Sequence, residues 1–150
     1  MLSTQAIKNT GQAGHYFLGR DNYYTKGEVL AQERSQWWGK GTQSLGLSGV
    51  VDSTVFTQLL KGKLPDGQQL GKQEGDKIKH RPGFDLTFSV PKSVSLLALI
   101  GGDTRILSAV KRATDQALRL IERDLAKARI TRLSITDYQK TSNLVVARFL

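Results

Sequence analysis

Hydrophobic positions recur along this chain at two periods, and each period predicts a kind of element. Between Thr104 and Ala128 the apolar residues are Ile106, Leu107, Val110, Ala113, Ala117, Leu118, Ile121, Leu125 and Ala128. Steps of three and four predict an amphipathic helix over 104–128, with Asp103 placed to cap it. In "VDSTVFTQLLKG", Val55, Phe56, Leu59 and Leu60 form one apolar face, Asp52 or Ser53 is the cap, and Gly62 ends the helix. "PKSVSLLALIGG", with Pro91 at its start and Gly101-Gly102 at its end, predicts another short helix. The second period is two. "FDLTFSV" sets Phe84, Leu86, Phe88 and Val90 on one side and Asp85, Thr87 and Ser89 on the other, a half-buried strand. "MLSTQAI" reads as a first strand, and "RLSITDYQK" and "NLVVARFL" as two strands joined by a turn at Thr141–Asn143.

Elsewhere neither period holds. "NTGQAGHYF" predicts a turn into a short helix, and "DNYY" caps another turn. Residues 35–49 carry four glycines and read as loop. The polar stretch "LPDGQQLGKQEGDKIKHRPG" reads as a long loop, and long loops in compact domains are often functional or mobile. With no internal repeat, the pattern is that of one α+β domain of 150 residues.

Charge narrows the class of partner. Lys and Arg number 22 against 13 Asp and Glu, a net charge of +9. Such an excess favours a polyanion, nucleic acid first and an anionic membrane surface second. The absence of cysteine excludes disulfides and Cys-based zinc sites and suits a reducing cytoplasm. The N-terminus has no apolar core of a signal peptide. The longest apolar run, "VSLLALI", is too short to span a bilayer, so no membrane insertion is expected. The glycine patterns lack the Gly-Lys-Ser/Thr ending of a phosphate loop.

One stretch stands out against an aromatic content of 7%: "HYFLGRDNYY" holds Tyr16, Phe17, Tyr23 and Tyr24 around Arg20. Tyrosine serves as a nucleophile when a chain is to be joined covalently to protein. Its phenolate costs about 4 kcal/mol at neutral pH, so a cation or a base must stand nearby. Arg20 is near in sequence, and Asp85, the carboxylate of the "FDLTF" strand, is a proton acceptor or an orienting group from elsewhere. The plainer alternative is that these aromatics pack or stack and that Asp85 is an exposed strand residue. His15 and His80 are the only histidines, too few and too far apart for a metal motif, so no metal is assigned to residues of this chain. Trp37 and Trp38 sit among glycines, where packing is the commoner role and stacking on a base the rarer. The polar side of the 104–128 helix, with Arg105, Lys111, Arg112, Arg119, Arg123 and Lys127, is either a solvated face or a phosphate track.

Taken in order, "MLS", "HYFLGRDNYY", "WWGKGTQSLGLSGVVD", "HRPGFDLTFSVPKSVSLLALIGGD" and "SNLVVARF" resemble the N-terminal half of MobF-type conjugative relaxases, the TraI/TrwC group. "DLTFSVPKSVS" is the most specific, and the resemblance runs nearly the whole length. It implies an antiparallel sheet with flanking helices of the HUH-endonuclease type, incomplete at the C-terminal end. It implies nicking and rejoining of one strand of plasmid DNA at an origin of transfer through a 5′-phosphotyrosine intermediate. Tyr16 matches the nicking nucleophile, Tyr23 and Tyr24 the pair used in later strand transfer, and Asp85 the carboxylate supporting a metal-bound histidine. Relaxosome and coupling proteins are the implied partners. Phe17 departs from the family's first tyrosine pair. The resemblance also places a histidine and a His-x-His pair, holders of a divalent cation, directly after "NLVVARF". The chain stops before them, so weak or no nicking is expected of these 150 residues alone. A non-catalytic single-stranded DNA-binding or interaction module is the alternative.

Overall fold

A computed structural model of the chain describes residues 1–11, 13, 35–132 and 135–149. The turn expected at "DNYY" lies outside the described residues. Of the helix expected from "NTGQAGHYF", Thr10, Gly11 and Ala13 are helical and the rest lies outside them. The elements are β1 (Leu2–Ala6), β2 (Ser35–Trp38), α1 (Lys40–Ser44), α2 (Ser53–Leu60), β3 (Lys72–Glu74), β4 (Lys77–Lys79), β5 (Phe84–Phe88), α3 (Lys92–Leu99), α4 (Thr104–Leu120) with a π-turn (Ile121–Leu125), β6 (Lys127–Arg132), β7 (Ile135–Lys140) and β8 (Val146–Phe149). The strands pair as β1–β5, β2–β8, β3–β4 and β6–β7. The expected α+β class is present, with the sheet divided into two-stranded ladders. Two compact units share the chain. One holds Met1–Thr4 and Leu86–Leu144, the other Gln5–Asp85 and Val145–Leu150.

The second unit contains the apolar core of Ala13, Trp37, Val51, Phe56 and Leu60, with Ile7, Leu47, Val55, Leu59, Ala147 and Phe149 packed on it. α2 forms as its pattern predicts. The Asp52 carboxylate accepts from the Val55 amide at 2.8 Å and satisfies a first-turn donor. Phe56 and Leu60 are buried, and the Phe56 ring meets Phe149 edge-on, 5.5 Å between centroids. The stretch expected to be loop over 35–49 is β2 followed by α1. β2 runs antiparallel to β8 with Ser35 opposite Phe149 and Trp38 opposite Val146. Trp37 points into the core, and Gly39, at φ 105°, turns the chain from strand to helix. Glycine punctuation suggested a loop; pairing with a distant strand made order.

In the first unit α4 buries the stripe Thr114, Leu118 and, past the helix end, Glu122 and Ala126. The helix expected through residue 128 stops earlier. A wider π-turn closes the end, the Ala126 amide donating to the Ile121 carbonyl at 3.0 Å; the Glu122 carboxylate accepts from the Leu144 amide at 3.1 Å, and the Ala126 carbonyl accepts from the Thr141 amide at 2.9 Å. From Lys127 the chain is strand. β7 therefore pairs with β6, and the hairpin expected between "RLSITDYQK" and "NLVVARFL" does not form. α3 begins at Pro91 as expected but leaves Leu97, Leu99 and Ile100 in solvent.

Candidate nucleic-acid interface

Residues 61–81 carry six Lys or Arg against three Asp or Glu. Their polar composition predicts a loop, yet part of them folds into a ribbon. β3 and β4 run antiparallel with Lys72 opposite Lys79, Gln73 opposite Ile78 and Glu74 opposite Lys77. Gly75 and Asp76 make the two-residue turn, Gly75 at φ 61° supplying the conformation that such turns need. The base of the ribbon is tied down. Leu70 donates its amide to the Gly62 carbonyl at 2.7 Å, and Gln69 Nε2 donates to the carbonyls of Lys61 and Leu70, each at 3.1 Å. Beyond this base the ribbon stands in solvent, with Lys72 exposed and Lys79 in a 3.6 Å surface ion pair with Glu74. Like charges placed opposite each other weaken a two-stranded ladder. Lys72 and Lys79 so placed are suited to an anionic partner, and a two-stranded ribbon is of a size to enter a DNA major groove.

At the ribbon's C-terminal end lie His80, Arg81 and β5. The His80 ring packs over Gly62, whose missing Cβ would sit 2.9 Å from the ring's Cγ and Cδ2. Partial burial holds the His80 imidazole below its usual pKa and favours the neutral form. The Arg81 guanidinium lies 5.6 Å from the Phe84 ring centroid. Asp85 follows, half-buried, while Phe84 is 61% exposed. The apolar alternation of β5 predicted the reverse for this pair, while Leu86 and Phe88 are half-buried and Thr87 and Ser89 exposed as it predicted. β1 supplies the pairing strand, the Ile7 amide donating to the Gly83 carbonyl at 3.0 Å.

Of the four residues singled out for nicking, only Asp85 is placed. Tyr16, Tyr23 and Tyr24, with His15, Phe17 and Arg20, lie outside the described residues. Among the described residues no group of three His, Cys, Asp or Glu side chains is arranged to hold a metal ion, so these donors do not make a metal centre. Trp37 is core, and Trp38 is half-buried beside it in β2. The ribbon is the feature that pattern reading missed. Its one signal was the Gly75-Asp76 pair between the polar triplet Lys72–Glu74 and the basic Lys77–Lys79.

A profile of the TrwC relaxase family matches residues 10–150. This chain belongs to that family. It is 46% identical over 149 residues to the multifunctional conjugation protein TraI of Escherichia coli, covering 99% of this chain and 8% of TraI. Among solved structures, the conjugative relaxase TrwC in its metal-bound complex with OriT DNA superposes with a TM-score of 0.79 at 40% identity. That match covers 99% of this chain and 50% of the TrwC chain. TrwC complexed with a 27-mer DNA comprising the recognition hairpin and the cleavage site gives 0.77 at 37% identity, over 99% and 48% of the two chains. The chain thus spans about half of the TrwC structures and a small part of TraI. No described helix is long and apolar enough to cross a membrane.

Proposed function

We propose that residues 1–150 are the N-terminal part of a conjugative relaxase domain that binds an origin of transfer and cleaves one strand in the cytoplasm. The observation that carries this reading is the family match over residues 10–150, joined to TrwC relatives solved on OriT DNA. The ribbon of β3 and β4 supplies a positively charged reader for the duplex part of the site.

Tyr16 is the nucleophile in this reading. Its phenol oxygen attacks the scissile phosphorus, the bond to the 3′ oxygen breaks, and the 5′ phosphate remains on the tyrosine. The phenol proton passes to a base, for which Asp85 is the candidate, and the departing 3′ oxygen takes up a proton. The phosphotyrosine link keeps the phosphodiester bond energy for rejoining, and Tyr23 and Tyr24 serve the later strand transfer. Ionising the phenol costs about 4 kcal/mol at neutral pH, so the proton acceptor has to act in the step itself. Relaxosome and coupling proteins complete the proposed assembly.

The test uses a chain extended to the length of the TrwC structures, an oligonucleotide carrying the origin of transfer, and a divalent cation. Tyr16→Phe is expected to abolish the covalent adduct with DNA affinity nearly unchanged, because phosphate contacts dominate such interfaces. Tyr23→Phe and Tyr24→Phe are expected to reduce strand transfer more than first nicking. An adduct formed at the parent rate by Tyr16→Phe would move the nucleophile to another residue. No adduct from any form, with binding retained, favours the non-catalytic DNA-binding module.

A further inference from the structure

The hairpin of β6 and β7 carries a second set of basic residues that neither the ribbon nor the nicking chemistry uses. Its register puts Lys127 opposite Lys140 and Arg129 opposite Tyr138. Residues two apart in a strand share a face, so these four side chains lie on one side of the hairpin. That side is open to water. Lys127 and Arg129 are exposed, and Tyr138 keeps 63% of its surface. The π-turn before β6 brings Arg123 to the same end. Its Nη2 lies 2.7 Å from Asp124 Oδ2, and Lys140 Nζ lies 3.9 Å from Asp124 Oδ1. One carboxylate is thus shared between two cations, and among the described residues Lys127 and Arg129 have no ion-pair partner.

One like-charged pair, Lys127 opposite Lys140, next to Arg129 and an exposed aromatic ring on the same face of a short hairpin, is poorly explained by stability. Lys127 opposite Lys140 is repulsive, and a solvent-facing tyrosine whose hydroxyl makes no hydrogen bond among the described residues adds little to the fold. The set suits a ligand that brings phosphates and a free π-face together. We propose that this face of β6 and β7 is a binding site for single-stranded DNA, in which an unpaired base stacks on Tyr138 and the flanking phosphates meet Lys127, Arg129 and Lys140. Stacking on an aromatic ring beside a cationic groove is the general mode of sequence-tolerant single-strand binding. A duplex keeps its bases stacked on one another and cannot use the ring. An acidic peptide would meet the cations but leave the ring without a role. The inference rests on the reading of the chain as a handler of single-stranded DNA and requires nothing of cleavage.

The experiment uses the 150-residue chain and three probes: an oligothymidylate, an abasic phosphodiester of equal length, and a duplex. Tyr138→Ala is expected to weaken oligothymidylate binding about fivefold to a hundredfold and to leave the abasic and duplex probes unchanged. Tyr138→Phe, which keeps the ring, restores it. Lys127→Gln with Lys140→Gln lowers the salt slope for the single strand by about 1.4. With the unsubstituted protein, a bromodeoxyuridine-substituted oligonucleotide is expected to crosslink to Tyr138, a readout that no folding defect can imitate. Equal oligothymidylate affinity of Tyr138→Ala and parent, or crosslinks confined to other residues, overturns the proposal. Loss on all three probes together points to an acidic-ligand or general charge surface and also overturns it. A relaxase that forms its adduct while Tyr138 is indifferent separates this failure from failure of the nicking reading. Tyr138-dependent binding without any adduct is the converse.

Discussion

Gly62 ties two features of the ribbon's base to one missing atom. Its φ is 78°, and a Cβ there would lie 2.9 Å from Gln69 Nε2 as well as from the His80 ring. Gln69 cannot yield without losing its two backbone acceptors, so the imidazole is the group that moves. Gly62→Ala is therefore expected to destabilise the chain by about 1–2 kcal/mol, from backbone strain at positive φ. The same change should push the His80 ring into water and return its lowered pKa toward the ordinary value. The sign of the linked effect follows. A histidine whose folded pKa is depressed binds its proton more readily in the unfolded chain. Its contribution to stability is present above the unfolded value near 6.5 and is lost as the pH falls through the folded one. In the parent, stability should rise with pH across that window; in Gly62→Ala this dependence should flatten. An NMR titration of His80, with His15→Gln to simplify assignment, checks it. An unmoved His80 pKa would show that packing over Gly62 is not what shields the ring.

At the scale of elements, the ribbon carries the sharpest expectation. Lys72→Gln with Lys79→Gln removes two facing cations from an exposed ladder and disturbs no core residue. Duplex origin DNA should bind more weakly, with the salt slope reduced by up to about 1.8. An unchanged slope in a salt titration would remove the ribbon from the interface. The elements also divide by how much of them the sequence makes legible. α2, α3 and most of α4 follow from apolar spacing and from caps at Asp52 and Asp103, because those signals are local. β3 and β4 have one apolar residue, Ile78, between them, so no alternation reveals them. β2 is hidden by the glycines that follow it. Its order comes from β8, where Arg148 Nη2 donates to Gln36 Oε1 at 2.7 Å across 112 residues. The end of α4 is misread for a related reason: Leu125 and Ala128 continue the helical count, but backbone bonds to Thr141 and the β7 ladder take over at Ala126. For the site, the tyrosine cluster is conspicuous in sequence, while the described structure positions Asp85 alone of its members.

Over the whole molecule two surface properties oppose each other. The net charge of +9 keeps copies apart at low ionic strength. Within the unit of Met1–Thr4 and Leu86–Leu144, however, α3 and its end leave Leu97 at 59%, Leu99 at 71% and Ile100 at 80% exposure. Leu107, Leu120 and Leu125 of the same unit are also more than half or about half exposed. Large apolar side chains grouped on one short helix are characteristic of surfaces that become covered. Screening shortens the reach of the charge to about 8 Å at physiological ionic strength and leaves the apolar attraction intact. The 150-residue chain should therefore be monomeric in dilute low-salt buffer and associate as salt is raised, the reverse of a complex held by ion pairs. Leu99→Lys with Ile100→Lys, at positions already in water, should suppress the association without lowering the unfolding temperature. Sedimentation velocity across a salt series checks both parts. A chain that stays monomeric at high salt, or one whose association the lysine pair leaves unchanged, would show that the α3 surface is not the adhesive face.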